Sequence, residues 1–254
     1  MDIAPPYGYG GIVPLRKDHR VALPEPGSAP AFSHVQHALP LSFAEFAIAA
    51  RDYPLVFASG DGKSFAPMAV FGLQRGQNLF VLPEGLWDRR SYIPAYVRRF
   101  PFCTAKVTVD GKEQKERVVC CVEESALRED GVPLYDQAGS ALPASEPIER
   151  LVLDFDRDFA RAEQMCALLA ELELFEPFSM KTTLSDGFIM QIDGMYRVRR
   201  AKLEALPEPS LRRLFGLEAM DKVYAHLMSL DNFRRLANRR SFFSAEPQRH
   251  ARAN

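Results

Sequence analysis

Proline is concentrated at the beginning of the chain, and this limits the secondary structures that residues 1–40 can adopt. Seven of the 19 prolines lie there, namely Pro5, Pro6, Pro14, Pro24, Pro26, Pro30 and Pro40. Proline has no amide hydrogen to donate, and its ring clashes with a preceding helical turn, so such a segment cannot form a helix or a central strand. We therefore expect an extended arm that lies over a folded domain.

A helix-start signal follows this arm. Ser42 precedes an apolar run, and Glu45 stands three residues later, which is the spacing of a capping box. The pair Tyr53-Pro54 closes the run, because a residue before proline avoids the helical region. The pattern predicts a short helix over residues 43–52.

Strand signals dominate the next part of the chain. Two apolar runs flank Gly60-Asp61-Gly62, which is typical of a β-hairpin turn, and residues 78–83 read as a third strand of an antiparallel meander. A second hairpin is predicted over residues 104–124, with its loop beginning at Asp110-Gly111.

The second half is richer in helix. Apolar residues recur at helical spacing over 156–175, where Asp156 or Asp158 is the expected N-cap. A further hairpin is predicted around Ser185-Asp186-Gly187, and two more helices are expected after it. Residues 125–147 carry two glycines and three prolines, which are residue types typical of loops, and this predicts a connecting loop.

These patterns predict an α+β fold. An antiparallel β-meander or curled barrel-like sheet would occupy the first half, and a helix-rich second part would pack on it. The expected divisions are a proline-rich extended arm (1–40), a β-rich half (41–124), a connecting loop (125–147), a helical half with a hairpin (148–240) and a tail (241–254).

Charge and hydropathy argue against several classes of partner. The formal net charge of −1 provides no general basic field for nucleic acid. The longest apolar windows, such as residues 67–73, are far shorter than the roughly 20 residues that a membrane helix needs. Without a signal-peptide pattern at the start, we expect a cytoplasmic protein with no integral membrane segment.

The metal-binding residue types are poorly placed for a metal site. None of the four cysteines forms a CxxC pair, so buried free thiols are expected. His34 and His37 are three residues apart, but they lie among prolines and have no evident third ligand. Gly60-Asp61-Gly62 fits a hairpin turn better than a phosphate-binding loop. We therefore predict no metal and no cofactor.

The only tryptophan begins the segment most suggestive of binding. Trp87 is followed by Tyr92, Arg98 and Arg99, and tryptophan, tyrosine and arginine are the residue types that dominate binding hot spots. The alternative is a packed amphipathic helix in which Tyr96 and its apolar neighbours face the core and the arginines face water. The pattern leaves both interpretations open.

A second candidate lies in the segment YAHLMSLDNF. Tyr224 and His226 begin it, and Ser229 stands one helical turn after His226. A serine nucleophile is usually presented on a sharp turn beside an oxyanion hole, which a helix does not provide. A structural histidine that hydrogen-bonds a neighbouring part of the chain is the favoured interpretation.

Several segments in this order resemble the SapC family of bacterial proteins. They are YPLVFA (53–58), FGLQRGQNLFV (71–81), Trp87 with YIPAYVRRFPF (92–102), DGMYRV (193–198) and VYAHLMSLDNFRRLA (223–237). The resemblance covers most of the chain but is loose over residues 103–150. It implies a link to surface-layer systems and to the handling of a peptide or an exported protein, and it carries no catalytic residues.

Besides a purely structural subunit of an assembly, two functions of different kinds follow as expectations. The first is a non-enzymatic accessory factor that binds a peptide, a protein or a partner enzyme in a surface-layer or outer-membrane-linked export or modification pathway. Its binding residues would be Trp87, Tyr92, Arg98, Arg99, Tyr224 and His226. The second is an enzyme acting on a peptide or small molecule, with a pocket near Trp87, Tyr92 and His226. A homo-oligomer is left open.

Overall fold

A computed structural model describes residues 5–109, 112–183 and 189–240 of the chain. The strands in chain order are β1 (Ile12–Pro14), β2 (Arg20–Val21), β3 (Ala38–Pro40), β4 (Leu55–Ala58), β5 (Ala66–Val70), β6 (Phe102–Val109), β7 (Lys112–Glu123), β8 (Val132–Pro133), β9 (Phe175–Thr183) and β10 (Ile189–Val198). The α-helices are α1 (Phe46–Ala49), α2 (Ala95–Arg98), α3 (Ser145–Glu171), α4 (Arg200–Glu204), α5 (Glu208–Gly216), α6 (Met220–Ser229) and α7 (232–240). Short 3-10 turns cover Ala31–Val35, Phe43–Glu45 and Glu124–Ala126.

A five-stranded antiparallel sheet forms the centre of the molecule. Its strand order is β3-β5-β4-β10-β9, so strands from both halves of the chain form one sheet. Strands β4 and β10 join the halves, with Tyr196 opposite Phe57 and Met195 opposite Ala58. Three of the four side chains of β4 are fully buried, as expected for an apolar strand covered on both faces.

The proline-rich arm adds edge strands to the sheets. Strand β1 pairs with β7 at one edge of a three-stranded sheet, and β3 lies at one edge of the central sheet. Pro14 and Pro40 end these two strands, where a missing amide hydrogen does least harm to the ladder. Between these two strands the arm also contains the short strand β2 and the 3-10 turn Ala31–Val35.

Helices cover the sheets. The 27-residue α3 packs on β5, on β6 and on the 3-10 turn before α1, so it bridges the two larger sheets. Helix α6 packs on β4, β10 and α1. Pro147 lies in the first turn of α3, where backbone amides have no helical acceptor, so a proline there costs no helical hydrogen bond.

The α+β prediction is confirmed, as are the capping box of Ser42 and Glu45 and the three antiparallel hairpins. The prediction of a third meander strand at residues 78–83 is wrong, because Val81 makes only an isolated bridge to Trp87. The N-cap prediction is also wrong, since Asp156 and Asp158 lie inside α3. The turns at 110–111 and 185–187 and the tail 241–254 lie outside the described residues.

Two glycines are required by the backbone. A Cβ on Gly72 would lie 2.0 Å from the carbonyl oxygen of Gln77, so the loop after β5 closes only with glycine there. Gly194 has φ +78° and coincides with a register shift between Ile192 and Met195, which is a β-bulge in β10.

Candidate functional site

Trp87 belongs to the core. Its side chain is fully buried, its indole N–H donates a 3.0 Å hydrogen bond to the hydroxyl of Tyr53, and its ring meets Phe71 edge to face at 5.4 Å. The Tyr53 hydroxyl in turn donates to the carbonyl of Tyr92. The structure therefore does not present the indole ring as a binding surface, and Trp87 is a packing residue that links two loops.

Arg99 is also buried, in contrast to its neighbour Arg98. Its guanidinium lies 4.3 Å from the centre of the Phe155 ring and 4.4 Å from that of Tyr96, and its nearest carboxylate is Asp156 at 3.8 Å. Cation–π contacts and one ion pair thus hold a buried positive charge. The sequence suggested that both arginines lie on the side of the helix that faces water. This is true of Arg98 but not of Arg99.

Arg98 and Tyr92 form the exposed end of a hydrogen-bond chain. Arg98 donates to the Tyr92 hydroxyl at 2.9 Å, and that hydroxyl donates to the buried carboxylate of Glu45 at 3.0 Å. Burial and the Glu45 charge raise the pKa of Tyr92 to about 12. Glu45 also accepts the amides of Ser42 and Ala95. Together these hydrogen bonds hold α2 against the 3-10 turn that precedes α1.

His226 has a structural role, as favoured from the sequence. Its Nδ1 donates to the carbonyl of Leu55 at 2.8 Å, and its Nε2 accepts the amide of Val198 at 3.1 Å. This tautomer is the one that satisfies both backbone groups. Burial lowers the pKa of His226 to about 4. The ring is therefore neutral and engaged at both nitrogens, which removes it as a general base.

Ser229 and Asn232 make similar cross-links. The Ser229 hydroxyl donates to the carbonyl of His226 and accepts the amide of Leu55 at 2.8 Å. Asn232 donates to the carbonyls of Ala50 and Tyr53. These polar side chains join the end of α6 and the start of α7 to the first residue of β4 and the segment before it, and the serine hydroxyl is engaged as both donor and acceptor.

Tyr224, two residues before His226, faces the opposite way and lines an open groove. We call this the α6 groove: it has a volume of about 730 Å³ and runs between α1 and α6. Its lining residues are Ala47, Ala50, Arg51, Asp221, Tyr224, Ala225, Met228, Asp231, Asn232, Arg234 and Arg235. Met228 is 76% exposed and Tyr224 is 40% exposed, so the two largest apolar side chains of the groove face water.

Arginines form the rim of the α6 groove. Arg51, Arg234 and Arg235 are exposed, and none of them forms an ion pair within the described part of the chain. Of the two lining aspartates, Asp221 is paired with Lys222 at 2.5 Å. The groove thus combines an apolar floor with an excess of positive charge.

The predicted site residues therefore separate into three places. Trp87, Arg99 and His226 lie in the core, Tyr92 and Arg98 touch each other at the surface, and Tyr224 lies in the α6 groove. Sequence reasoning missed Met228 in the groove. Met228 could have been found from its position, because it stands four residues after Tyr224 on a helix face outside the buried stripe, and residues at this spacing lie side by side.

The other reactive groups are poorly suited to chemistry. Burial raises the pKa of the thiols of Cys103, Cys120 and Cys166 to about 12. No group of three histidine, cysteine or acidic side chains that could hold a metal ion occurs among the described residues. Nor does any helix in the described ranges have the length and apolar character needed to cross a bilayer.

The fold and this site define an α+β protein with an arginine-rimmed apolar groove beside its central sheet. The family model of SapC matches residues 16–236, and the chain belongs to the SapC family. No curated protein and no solved structure matches the chain.

Proposed function

We propose that this protein is a non-enzymatic accessory factor that binds a peptide or protein partner in the α6 groove. The observation that carries the proposal is the groove itself, with Met228 and Tyr224 exposed above a floor of small alanine side chains. Methionine adapts its shape to different apolar partners, and exposed apolar grooves mark interaction sites. The family's link to surface-layer systems supports a place in an export or modification pathway, in the cytoplasm.

The partner fits the groove as a helix or short segment with one apolar face. A groove between two helices receives such a segment by burying apolar anchors at helical spacing. The exposed rim arginines Arg51, Arg234 and Arg235 favour a partner of negative charge over a basic one. The structural roles of His226 and Ser229 support binding over catalysis.

The test is a selection of short random peptides, displayed on a carrier, on the immobilised full-length protein. Met228→Asp places a charge in the groove, and Leu153→Asp is the matched control because Leu153 is an exposed side chain on α3, 59% accessible, that does not line the groove. We expect enriched peptides with apolar anchors that bind wild type and Leu153→Asp equally and lose affinity for Met228→Asp by at least about tenfold.

Two results would overturn the proposal. One is the absence of any enrichment on wild type over the Met228→Asp variant. The other is a dimer in light scattering that Met228→Asp converts to a monomer, since the groove would then hold a second copy of this chain. Circular dichroism of each variant shows whether it is folded.

A further inference from the structure

A small cleft adjoins the α6 groove. It has a volume of about 190 Å³, and we call it the arginine cleft. Its lining residues are Arg51, Asp52, Phe80, Ser91, Arg235, Leu236 and Arg239. Arg51 and Arg235 also line the α6 groove, so one continuous surface connects the two depressions.

One arginine of the cleft is held in place by the fold. Arg239 donates from Nε to the carbonyl of Leu79 and from Nη2 to Asp88, both at 2.6 Å, and its guanidinium lies 4.4 Å from the centre of the Phe80 ring. Asp88 also pairs with Arg90 at 3.2 Å, so two guanidinium groups share one carboxylate.

The other two arginines stand at the junction with the groove. Arg51 and Arg235 are both exposed, and Arg235 donates from Nη1 to the backbone carbonyl of Arg51 at 3.2 Å. Asp52 is the carboxylate of the lining, and its Oδ2 accepts the amide of Tyr92 at 2.8 Å. Because Arg239 is already paired with Asp88, the charges that matter at this junction are the two guanidinium groups of Arg51 and Arg235 against the one carboxylate of Asp52.

We propose that the arginine cleft binds a carboxylate of the partner peptide whose apolar side chains occupy the α6 groove. This inference rests on the proposed function and narrows the partner to an acidic amphipathic peptide. A guanidinium binds a carboxylate through two parallel hydrogen bonds, and Arg51 and Arg235 stand where a peptide leaving the groove would meet them. The carboxylate belongs to a glutamate or aspartate side chain or to the peptide's C-terminus.

A carboxylate fits the cleft better than a nucleic acid does. Phe80 and Leu236, the apolar residues of the lining, are 5% and 2% exposed, so they offer no face on which a base could stack. Single-stranded nucleic acid is held by such stacking together with a basic groove. A peptide carboxylate requires only the guanidinium groups.

The experiment uses one acidic peptide from the selection, labelled with fluorescein, and measures its affinity by fluorescence anisotropy. Arg235→Gln removes one charge from the cleft, and Arg212→Gln is the matched control, because Arg212 is an exposed arginine on α5 that lines neither depression. Peptides with glutamine for glutamate, or with an amidated C-terminus, identify the carboxylate that is bound.

We expect Arg235→Gln to weaken binding about tenfold and Arg212→Gln to leave it unchanged. The peptide that lacks the bound carboxylate should also bind about tenfold more weakly to wild type, with no further loss on Arg235→Gln, because the two changes remove one interaction. Addition of inorganic phosphate or a short single-stranded oligonucleotide should not displace the peptide at matched ionic strength.

The outcomes separate this inference from the proposed function. If Met228→Asp abolishes binding while Arg235→Gln matches Arg212→Gln, the groove is a binding site and the carboxylate inference is wrong. Selected peptides without acidic residues or a required C-terminal carboxylate, or displacement by the oligonucleotide, would also overturn it. If Met228→Asp has no effect, the proposed function itself fails.

Discussion

The indole N–H of Trp87 donates a 3.0 Å hydrogen bond to the hydroxyl of Tyr53 inside the core. This bond joins the loop after β5 to the segment before β4. The residue that looks most like a binding hot spot in the sequence therefore contributes to stability. We expect Trp87→Ala to lower the free energy of unfolding by about 3–5 kcal/mol, because a large cavity replaces the ring.

Trp87→Phe is the matched variant for this prediction. It keeps an aromatic ring in the core and removes the N–H donor, so it should cost less than Trp87→Ala. Urea unfolding followed by circular dichroism measures both variants without depending on tryptophan fluorescence. Equal stability of wild type and Trp87→Ala would contradict the burial of this ring.

The second prediction concerns acid stability and His226. Burial lowers the pKa of His226 to about 4 in the folded protein, whereas an unfolded histidine titrates near 6.5. Between these pKa values the unfolded chain binds the extra proton, so stability falls as the pH decreases through this range. From about pH 7 to about pH 5 this group alone should cost about 2 kcal/mol.

The comparison that isolates this effect is urea unfolding of wild type and His226→Gln at both pH values. His226→Gln is less stable at neutral pH, because it disturbs the contacts to Leu55 and Val198. Its stability should nevertheless decrease less on acidification than that of wild type. An equal decrease in the two proteins would show that His226 is not buried in its neutral form.

The third prediction concerns the buried carboxylate of Glu45. It accepts hydrogen bonds from the amides of Ser42 and Ala95 and from the hydroxyl of Tyr92. Glu45→Ala leaves these donors without a partner and should cost about 3 kcal/mol of unfolding free energy. Glu84→Ala, at an exposed position, should change stability by no more than about 0.5 kcal/mol. Similar values for the two variants in thermal or urea unfolding would refute this role.

The fourth prediction separates the adjacent arginines. Arg99→Ala should destabilise the protein by about 3 kcal/mol, because it leaves Asp156 without its cation and a cavity beside Phe155. Arg98 is exposed, so Arg98→Ala should cost about 0.5 kcal/mol or less. Differential scanning calorimetry measures both changes, and a larger loss for Arg98→Ala would reverse the assignment of the buried residue.

Local signals were sufficient for much of the fold. The hairpin β4–β5 follows from a glycine-rich turn between apolar runs, and the turn before α1 follows from Ser42 and Glu45. Each of these features depends on residues close together in sequence. The wrong third strand at 78–83 has the right residue types, but Val81 makes only an isolated bridge to Trp87 and the segment joins no sheet.

The candidate site was less accessible to sequence reasoning. Tyr224 was selected, whereas Met228, Arg51 and Arg235 were not, because the groove joins α1 to a helix that lies far along the chain. Trp87 and Arg99 have the composition of a hot spot, and composition does not reveal which side of a loop or helix the core covers.

By itself, the sequence determined the α+β class, the pairing of neighbouring strands in three antiparallel hairpins and the SapC family. These properties depend on backbone sterics and on patterns that repeat within a few residues. Only the tertiary structure decided that β10 completes the sheet begun by β4, that His226 bridges Leu55 and Val198, and that Tyr224 faces a groove. Burial and long-range pairing depend on which distant segments meet, and a pattern of neighbouring residues does not specify that.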